Sequence, residues 1–187
     1  MTMNAAAAII PGTGYIYLAP ADTAKPVTIT DPLAPGSPWV NLGHTSRDNM
    51  PEFTRGGDSP TTLGSWQNSK LRQTSPDVEY GLTFQSIQAD ATSLQLYFGA
   101  GPEAMQADGS IRIPVQPVPQ IKALLMILVD GSHYVPLWHP RVSLLGSDAV
   151  SLDAENWFSL PIAGTFLASN LIGGAIGEWA TALGAGS

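Results

Sequence analysis

Residues 121–138, with the sequence IKALLMILVDGSHYVPLW, decide the fold of this chain. From 121 to 129 every residue except Lys122 is apolar, which is the pattern of a strand covered on both faces. Asp130-Gly131 is a dipeptide typical of a tight two-residue hairpin turn. Ser132 to Trp138 then returns as a second strand. The segment therefore predicts an antiparallel hairpin whose first strand is covered on both faces.

Further strands are predicted on both sides of this hairpin. Their signals are apolar and polar residues in alternation, or short runs of β-branched and aromatic residues. Because Pro114 and Pro117 cannot donate a ladder hydrogen bond, one of these strands belongs at a sheet edge. The predicted strands cover residues 15–18, 78–87, 111–118 (the edge strand), 141–145 and 156–162.

One helix is predicted, over residues 90–98, between two of these strands. Asp90 is a good N-cap, and the sequence GAGP at 99–102 ends the helix. Ala91, Leu94, Tyr97 and Phe98 form its predicted apolar face. The fold class is therefore mainly β: an antiparallel β-sandwich or partial barrel with one short packed helix and a long loop.

The long loop lies between the first two strands, and it is predicted over residues 41–75. The sequence from Trp39 to Gln67 has little hydrophobic periodicity, yet large apolar residues are spaced through it, namely Trp39, Met50, Phe53, Leu63 and Trp66. A long excursion of this kind inside a compact domain is usually functional or disordered. Large apolar groups on a polar excursion usually need a second surface to cover them. We therefore interpret 41–75 as an assembly loop.

The remaining segments complete a single domain over residues 1–187. Residues 1–38 are predicted as an N-terminal arm containing the first strand, since prolines between Thr23 and Pro38 favour extended chain. The β core is predicted over 78–163. Residues 164–187 are rich in Gly, Ala and Ser, and we expect them to form a C-terminal tail that lies over a neighbouring molecule.

The composition indicates a surface that other subunits cover. Charged residues make up 12% of the chain, against about 25% in average soluble domains. The net charge is −7, which argues against a nucleic-acid-binding surface. The chain has no cysteine, so disulfides and thiol chemistry are excluded. Its N-terminus is a poor secretory signal, and its apolar runs are too short to predict membrane insertion.

Catalytic chemistry finds little support in the sequence. His44, Ser46 and Asp48 are the residue types of a hydrolase triad, but triads are assembled from distant positions, and no GxSxG motif is present. Carboxylates such as Asp153 and Glu155 near a turn are ordinary solvated acids. We therefore predict no enzyme activity and no catalytic residues.

Cofactor and metal sites find equally little support. His133 and His139 have no third ligand nearby, and GTG at 12–14 is followed by no helix that would make it a phosphate loop. We predict no cofactor and no metal. The five tryptophans leave one alternative open, a small β-rich binding or adhesin module that uses exposed Trp residues.

The chain resembles the major tail proteins, or tail tube proteins, of siphovirus-type bacteriophages. The resemblance covers roughly residues 10–165 and rests on the order and spacing of several short segments. These are 39–48 (WVNLGHTSRD), 53–58 (FTRGGD), 62–67 (TLGSWQ), 82–85 (LTFQ), 94–99 (LQLYFG), 138–142 (WHPRV) and 153–161 (DAENWFSLP).

The resemblance implies a structural virion protein that polymerises as stacked hexameric rings into a tail tube, the conduit for genome delivery. Its β-sheets would join across subunits, and the long loop would reach the adjacent ring. The implied contact residues are His44, Arg47, Asp48, Met50, Glu52, Phe53, Arg55, Asp58 and Trp66. Family members often carry a C-terminal immunoglobulin-like domain, and we expect none in this chain.

The resemblance also implies partners and a location. Beyond copies of itself, the chain would meet the tape measure protein inside the tube, and tail tip and tail terminator proteins at its ends. DNA would pass through an acidic lumen without specific binding. The protein would be assembled in the host cytoplasm and reside in the virion tail.

Overall fold

The computed structural model describes residues 7–181. This part of the chain contains ten β-strands and one α-helix. They are β1 Thr13–Pro20, β2 Val40–Asn41, β3 Glu52–Gly56, β4 Thr61–Leu63, β5 Arg72–Thr74, β6 Glu79–Ser86, α1 Ala91–Phe98, β7 Gln120–Asp130, β8 His133–Gly146, β9 Leu160–Phe166 and β10 Glu178–Trp179. Short 3-10 helices occupy Pro102–Ala104 and Asn170–Ile172.

Eight strands form one antiparallel sheet in the order β2-β1-β7-β8-β9-β6-β3, with β10 paired to β8. Within the described residues this sheet does not close into a barrel, and the architecture is consistent with a β-sandwich. β4 and β5 form a separate two-stranded sheet. The predicted mainly β, antiparallel fold class is confirmed.

The predicted hairpin is present as β7–β8, and it lies at the centre of the sheet. Leu124, Leu125 and Ile127 are fully buried, because the sheet is covered on both faces at this point. Asp130 pairs with His133, so the turn residues are Gly131 and Ser132, one position later than predicted. Gly131 has φ +59°, a backbone conformation that glycine adopts without steric cost.

Alternate residues of the central strands enter two separate apolar cores. One face of β1 and β7 contributes Ile16, Leu18, Leu124 and Met126 to a core closed by Leu82, Phe84, Leu96 and Ile162. The opposite face contributes Tyr17, Ala19, Leu125 and Ile127 to a second core with Trp39 and Trp138. This arrangement follows from the period-2 alternation of side chains along a strand.

The second core is closed by the segment before β2 rather than by another sheet. Residues 23–38 contain no helix or strand, as predicted, but they pack on the domain rather than extending away as an arm. Tyr17 Oη donates to the carbonyl of Pro32 at 2.7 Å, and Trp138 Nε1 donates to that of Thr23 at 3.1 Å. Ile29 packs against the core between them.

Three strand predictions need correction. β8 is one strand of 14 residues where the sequence predicts two, because Pro136 and Pro140 lie within it without ending it. The pairing of β8 with β7 shifts register between Lys122 and Leu124. β9 begins at Leu160 and not at residue 156. Residues 111–118 form no strand, apart from an isolated bridge at Ile111. Pro114 and Pro117, which favoured an edge strand, have no backbone N–H to donate to a neighbouring strand.

The helix has its predicted ends but a different buried face. Asp90 accepts a hydrogen bond from the Ser93 amide at 2.8 Å, and Gly99 caps the C-terminus with φ +58°. Ser93 and Leu96 are buried, whereas the predicted face was 91, 94, 97 and 98. The buried Ser93 hydroxyl is satisfied by the Ser86 hydroxyl at 2.9 Å, a partner that hydropathy cannot reveal.

The expected C-terminal tail folds back on its own subunit through residue 181. β9 extends to Phe166, and β10 pairs with Trp138 and Leu137 of β8. Residues 164–181 therefore pack on their own subunit rather than extending from it as a tail, and their contact with a neighbour stays a prediction. Residues 182–187, like 1–6 at the other end, lie outside the described part of the chain.

Candidate assembly surfaces

The predicted assembly loop contains three strands of regular structure. β3 pairs with β6 from Glu52↔Thr83 to Gly56↔Glu79, so β3 is an edge strand of the main sheet. Beyond it, β4 and β5 pair from Thr61↔Thr74 to Leu63↔Arg72. The segment 52–86 is thus one long hairpin whose outer part is β4–β5. Hydrophobic periodicity misses these strands because β4, β5 and most of β3 have no buried face.

The outer part of this hairpin, residues 59–75, is called the distal hairpin below. Every residue from 54 to 75 is exposed, and the Trp66 side chain is 99% exposed. Leu63 and Leu71 are also more than half exposed. An isolated two-stranded hairpin is marginally stable at best in water. The distal hairpin therefore carries apolar side chains that no residue between 7 and 181 covers.

Two glycines shape this hairpin at its base and its tip. Gly57 has φ +129°, and a Cβ there would lie 2.7 Å from the Asp77 carbonyl oxygen. At the tip, a Cβ on Gly64 would lie 2.6 Å from the Ser69 carbonyl oxygen. Both positions require the close backbone approach that only glycine permits.

The first half of the predicted loop lies at the other end of β6. Thr45 forms a bridge with Ser86, and the Ser46 amide donates to the Gln85 carbonyl at 2.9 Å. These bonds bring the predicted residues His44, Arg47, Asp48 and Met50 to the C-terminal end of β6. Arg55 and Asp58 lie instead toward the distal hairpin, with the Arg55 guanidinium 5.8 Å from the centre of the Tyr80 ring.

Phe53, a predicted apolar contact residue, packs against aromatic residues of its own subunit. Its ring centre lies 4.6 Å from that of Trp179 and 6.2 Å from that of Phe166. Phe53 packs against the first core and is half-buried. Trp66, by contrast, is 99% exposed, and no such contact with the described residues covers it. Of the two predicted aromatic contact residues, Trp66 is therefore exposed and Phe53 is half-buried.

A second exposed excursion, residues 147–157 between β8 and β9, was missed by the sequence reasoning. Leu152 is 84% exposed and Trp157 is 78% exposed. Asp153 organises this loop by accepting from the Glu155 amide at 2.9 Å, and this hydrogen bond lowers the pKa of the Asp153 carboxyl. The sequence analysis places Trp157 in the predicted strand 156–162, whereas β9 begins only at Leu160 and leaves Trp157 in the loop.

A groove connects this loop to the first half of the long loop. Its volume is about 390 Å³, and its floor includes Phe84 and Ile162. Its lining includes three carboxylate residues, Asp48, Glu52 and Asp148. None of the three forms an ion pair with another described residue, because the described ion pairs are Lys25–Glu178 and Arg141–Asp22.

The two histidines considered as metal ligands have unlike surroundings. His139 is buried, and its ring stacks on Phe166 with centres 3.6 Å apart. Its Nδ1 lies 2.9 Å from the Ile176 carbonyl oxygen, and its Nε2 lies 2.9 Å from Trp179 Nε1. A carbonyl only accepts and an indole only donates, so the ring is neutral with its proton on Nδ1. His133 is exposed beside the β7–β8 turn.

Burial lowers the pKa of His139 to about 4, against an ordinary value of 6.5, despite the hydrogen bond to Ile176. The residue therefore fixes β10 and the preceding turn against β8 in its neutral form. Both of its nitrogens are used for this purpose.

The triad residue types at the start of the long loop take part in local hydrogen bonds. The His44 amide donates to the Gln88 side-chain oxygen, and Ser46 Oγ accepts from the Asn49 amide at 3.2 Å. Between residues 7 and 181, no group of three or more His, Asp or Glu residues is placed to hold a metal ion. In the same range, no helix is long and apolar enough to span a bilayer.

A β domain with two exposed apolar excursions has the surface of an assembling structural subunit. Comparison with known proteins agrees: residues 1–179 match the model of a phage tail tube protein family, and the chain belongs to that family.

Two curated relatives have the name Major tail protein Gp23. The chain is similar to that of Mycobacterium phage D29, with 32% identity over 178 residues that cover 89% of this chain and 88% of the relative. It is also similar to that of Mycobacterium phage L5, with 30% identity over the same shares. The predicted structural role in a phage tail tube is confirmed, and the virion tail is the location that this role implies.

Proposed function

We propose that this protein polymerises as stacked hexameric rings and that its distal hairpin connects one ring to the next. The observation that carries the proposal is that every residue from 54 to 75 is exposed, including the apolar Leu63, Trp66 and Leu71. Burying one large apolar side chain stabilises a contact by about 1.5–3 kcal/mol. Several such side chains on a hairpin without its own core favour a bound state over a free one.

The sheet edges support closure within a ring. β2 and β3 are the outer strands of the sheet, and each has one described neighbour. Unpaired edges invite pairing with another chain, and joining β3 of one subunit to the opposite edge of the next satisfies both sets of backbone groups. Such a head-to-tail contact closes into a ring when its rotation allows, whereas stacking remains open.

The charge of the chain supports a passage for DNA. With a net charge of −7, an acidic lumen repels the phosphate backbone and lets it move without being held. In this proposal the tape measure protein occupies the lumen during assembly in the host cytoplasm. Tail tip and terminator proteins then contact the two ends of the tube.

The direct test is electron microscopy of the purified protein beside a variant without the distal hairpin. Gly57 and Asp77 are neighbours in space, so residues 58–76 are replaced by Asn-Gly, a sequence that favours a tight turn. We expect the wild type to form tubes with a central channel, and the variant to remain folded but to form no tubes. Tubes of normal length from the variant would contradict the connector role.

A matched pair of point variants separates the hairpin from general surface hydrophobicity. Trp66→Ser removes an apolar group from the hairpin, while Val115→Ser removes one from an exposed position outside it. Only the first change should impair polymerisation. A monodisperse monomer that binds glycans through Trp66 and Trp157 would instead support the adhesin alternative.

A further inference from the structure

We infer that the distal hairpin of one copy docks on the acidic end of the next copy, defined as residues 147–157 with Asp48 and Glu52. The inference rests on the proposed function, because it names the surface that receives the hairpin. Three properties of the two surfaces support this contact: their positions, their charges and their apolar side chains.

The two surfaces project from opposite ends of the same strands. At one end, Gly56 pairs with Glu79, the first residue of β6, and the chain leaves the sheet there to form the distal hairpin. At the other end, Ser86 pairs with Leu160, and Gly146 pairs with Ile162, so the 147–157 loop emerges beyond Ser86. The eight residues of β6 separate the two ends by about 26 Å.

The charges of the two surfaces are opposite. The distal hairpin contains Lys70 and Arg72 and no acidic residue. The acidic end has Asp48, Glu52, Asp148, Asp153 and Glu155, with Arg47 as the neighbouring cation. Asp153 is used within its own loop, whereas Asp148 and Glu155 are exposed and make no ion pair among the described residues.

Both surfaces also carry unpartnered apolar side chains. Trp66 and Leu71 on the hairpin have counterparts in Leu152 and Trp157 on the acidic end. Aromatic and aliphatic anchors surrounded by complementary charge are the usual composition of a specific interface. The anchors contribute affinity, and the charges select the partner and its orientation.

A second copy of this chain is the occupant that fits both ends. A surface at one end that complements a surface at the other makes a heterologous contact, and repetition of that contact along one axis gives an open stack. A partner of a different kind would explain one of the two surfaces and leave the other exposed.

The test uses charge reversal with rescue between two full-length variants. Lys70→Glu/Arg72→Glu makes both surfaces acidic, and Asp148→Lys/Glu155→Lys replaces two of the five acidic residues of the receiving surface with lysines. Like charges placed opposite each other cost several kcal/mol. Each variant alone should therefore form no sedimentable tubes at concentrations where the wild type polymerises, while an equimolar mixture should form them.

Arg112→Glu is the matched control for Arg72→Glu. Both are exposed arginines, but Arg112 belongs to neither surface. Arg72→Glu should raise the critical concentration for polymerisation at least about tenfold, and Arg112→Glu should leave it unchanged. Circular dichroism verifies that each variant is folded, and Glu155→Lys replaces the double variant if that one is not.

Two results would overturn the inference. The first is normal polymerisation by Lys70→Glu/Arg72→Glu. The second is failure of the mixed, folded variants to assemble, which would show that the hairpin binds elsewhere. In either case, loss of tubes in the 58–76 replacement would still support the hairpin as a connector, so the two proposals fail separately.

Discussion

The molecule contains two hairpins of opposite character. β7–β8 is buried on both faces at the centre of the sheet, whereas the distal hairpin is exposed along its whole length. The hydrogen-bond pattern is antiparallel in both. The same backbone pairing therefore goes with very different side-chain burial. Burial makes β7–β8 the most enclosed part of the sheet, whereas the distal hairpin has no buried face of its own.

The largest effect should come from matched leucine truncations in the two hairpins. Leu124 is fully buried, whereas Leu71 is 64% exposed. Leu124→Ala should lower the free energy of unfolding by about 2–5 kcal/mol, because it removes buried methyl groups and leaves a cavity. Leu71→Ala should change it by less than about 0.5 kcal/mol. Urea denaturation of the monomer measures both, and equal losses would show that the distal hairpin belongs to the cooperative core.

A second prediction concerns pH and the clamp that holds β10 on β8. The pKa of His139 is about 4 in the folded protein and 6.5 in the unfolded chain, so the unfolded chain binds a proton first as pH falls. His139 therefore destabilises the fold progressively from pH 6.5 to 4, by up to about 3 kcal/mol. The distal hairpin contributes nothing to this dependence.

The control for this prediction is His139→Gln, which does not titrate. Its stability should be lower at pH 7 but flatter between pH 6.5 and 5 than that of the wild type. Thermal unfolding across that range measures the difference. If the stability of the two proteins changes equally with pH, the pKa of His139 is not lowered in the folded state.

A smaller effect is expected at the turn of the central hairpin. Gly131→Ala places a side chain at φ +59° and should cost about 1 kcal/mol. Gly12→Ala is its control, because a Cβ at Gly12 meets no atom within 4 Å. Chemical denaturation should show a larger loss of unfolding free energy for Gly131→Ala than for Gly12→Ala. Equal losses would mean that the backbone conformation of Gly131 does not contribute to the stability of the β7–β8 hairpin.

The smallest expected effect on the subunit is that of Trp66→Ala. Because Trp66 is 99% exposed, its loss should leave the free energy of unfolding within about 0.5 kcal/mol of wild type. Hydrogen exchange extends the comparison: amides of β4 and β5 should exchange rapidly in the monomer, and those of β7 slowly. Strong protection of β4–β5 in the monomer would indicate a contact inside the subunit.

Sequence patterns predicted the elements that bury side chains. The run at 121–129, the alternation at 78–87 and the caps at Asp90 and Gly99 are local signals, and each matches the structure. They failed where a strand lacks a buried face, as in β4 and β5, and where a buried polar pair set the helix face, as with Ser86 and Ser93.

The candidate assembly surfaces were also predicted only in part. The predicted contact residues from His44 to Trp66 lie on one continuous segment of sequence, yet that segment spans both ends of β6. Phe53 proved to be packed in its own subunit, and the 147–157 loop went unnoticed. The inter-subunit roles of the predicted residues remain predictions.

The sequence by itself determined the antiparallel β class, the β7–β8 hairpin and the polar segment with spaced apolar residues that follows β2. Those properties depend on the chemistry and the spacing of side chains, which can be read directly from the sequence. Only the tertiary structure decided which ends of the sheet carry the basic hairpin and the acidic loop. That separation arises from strand order and register, in which residues far apart in sequence become neighbours through pairing that no local pattern specifies.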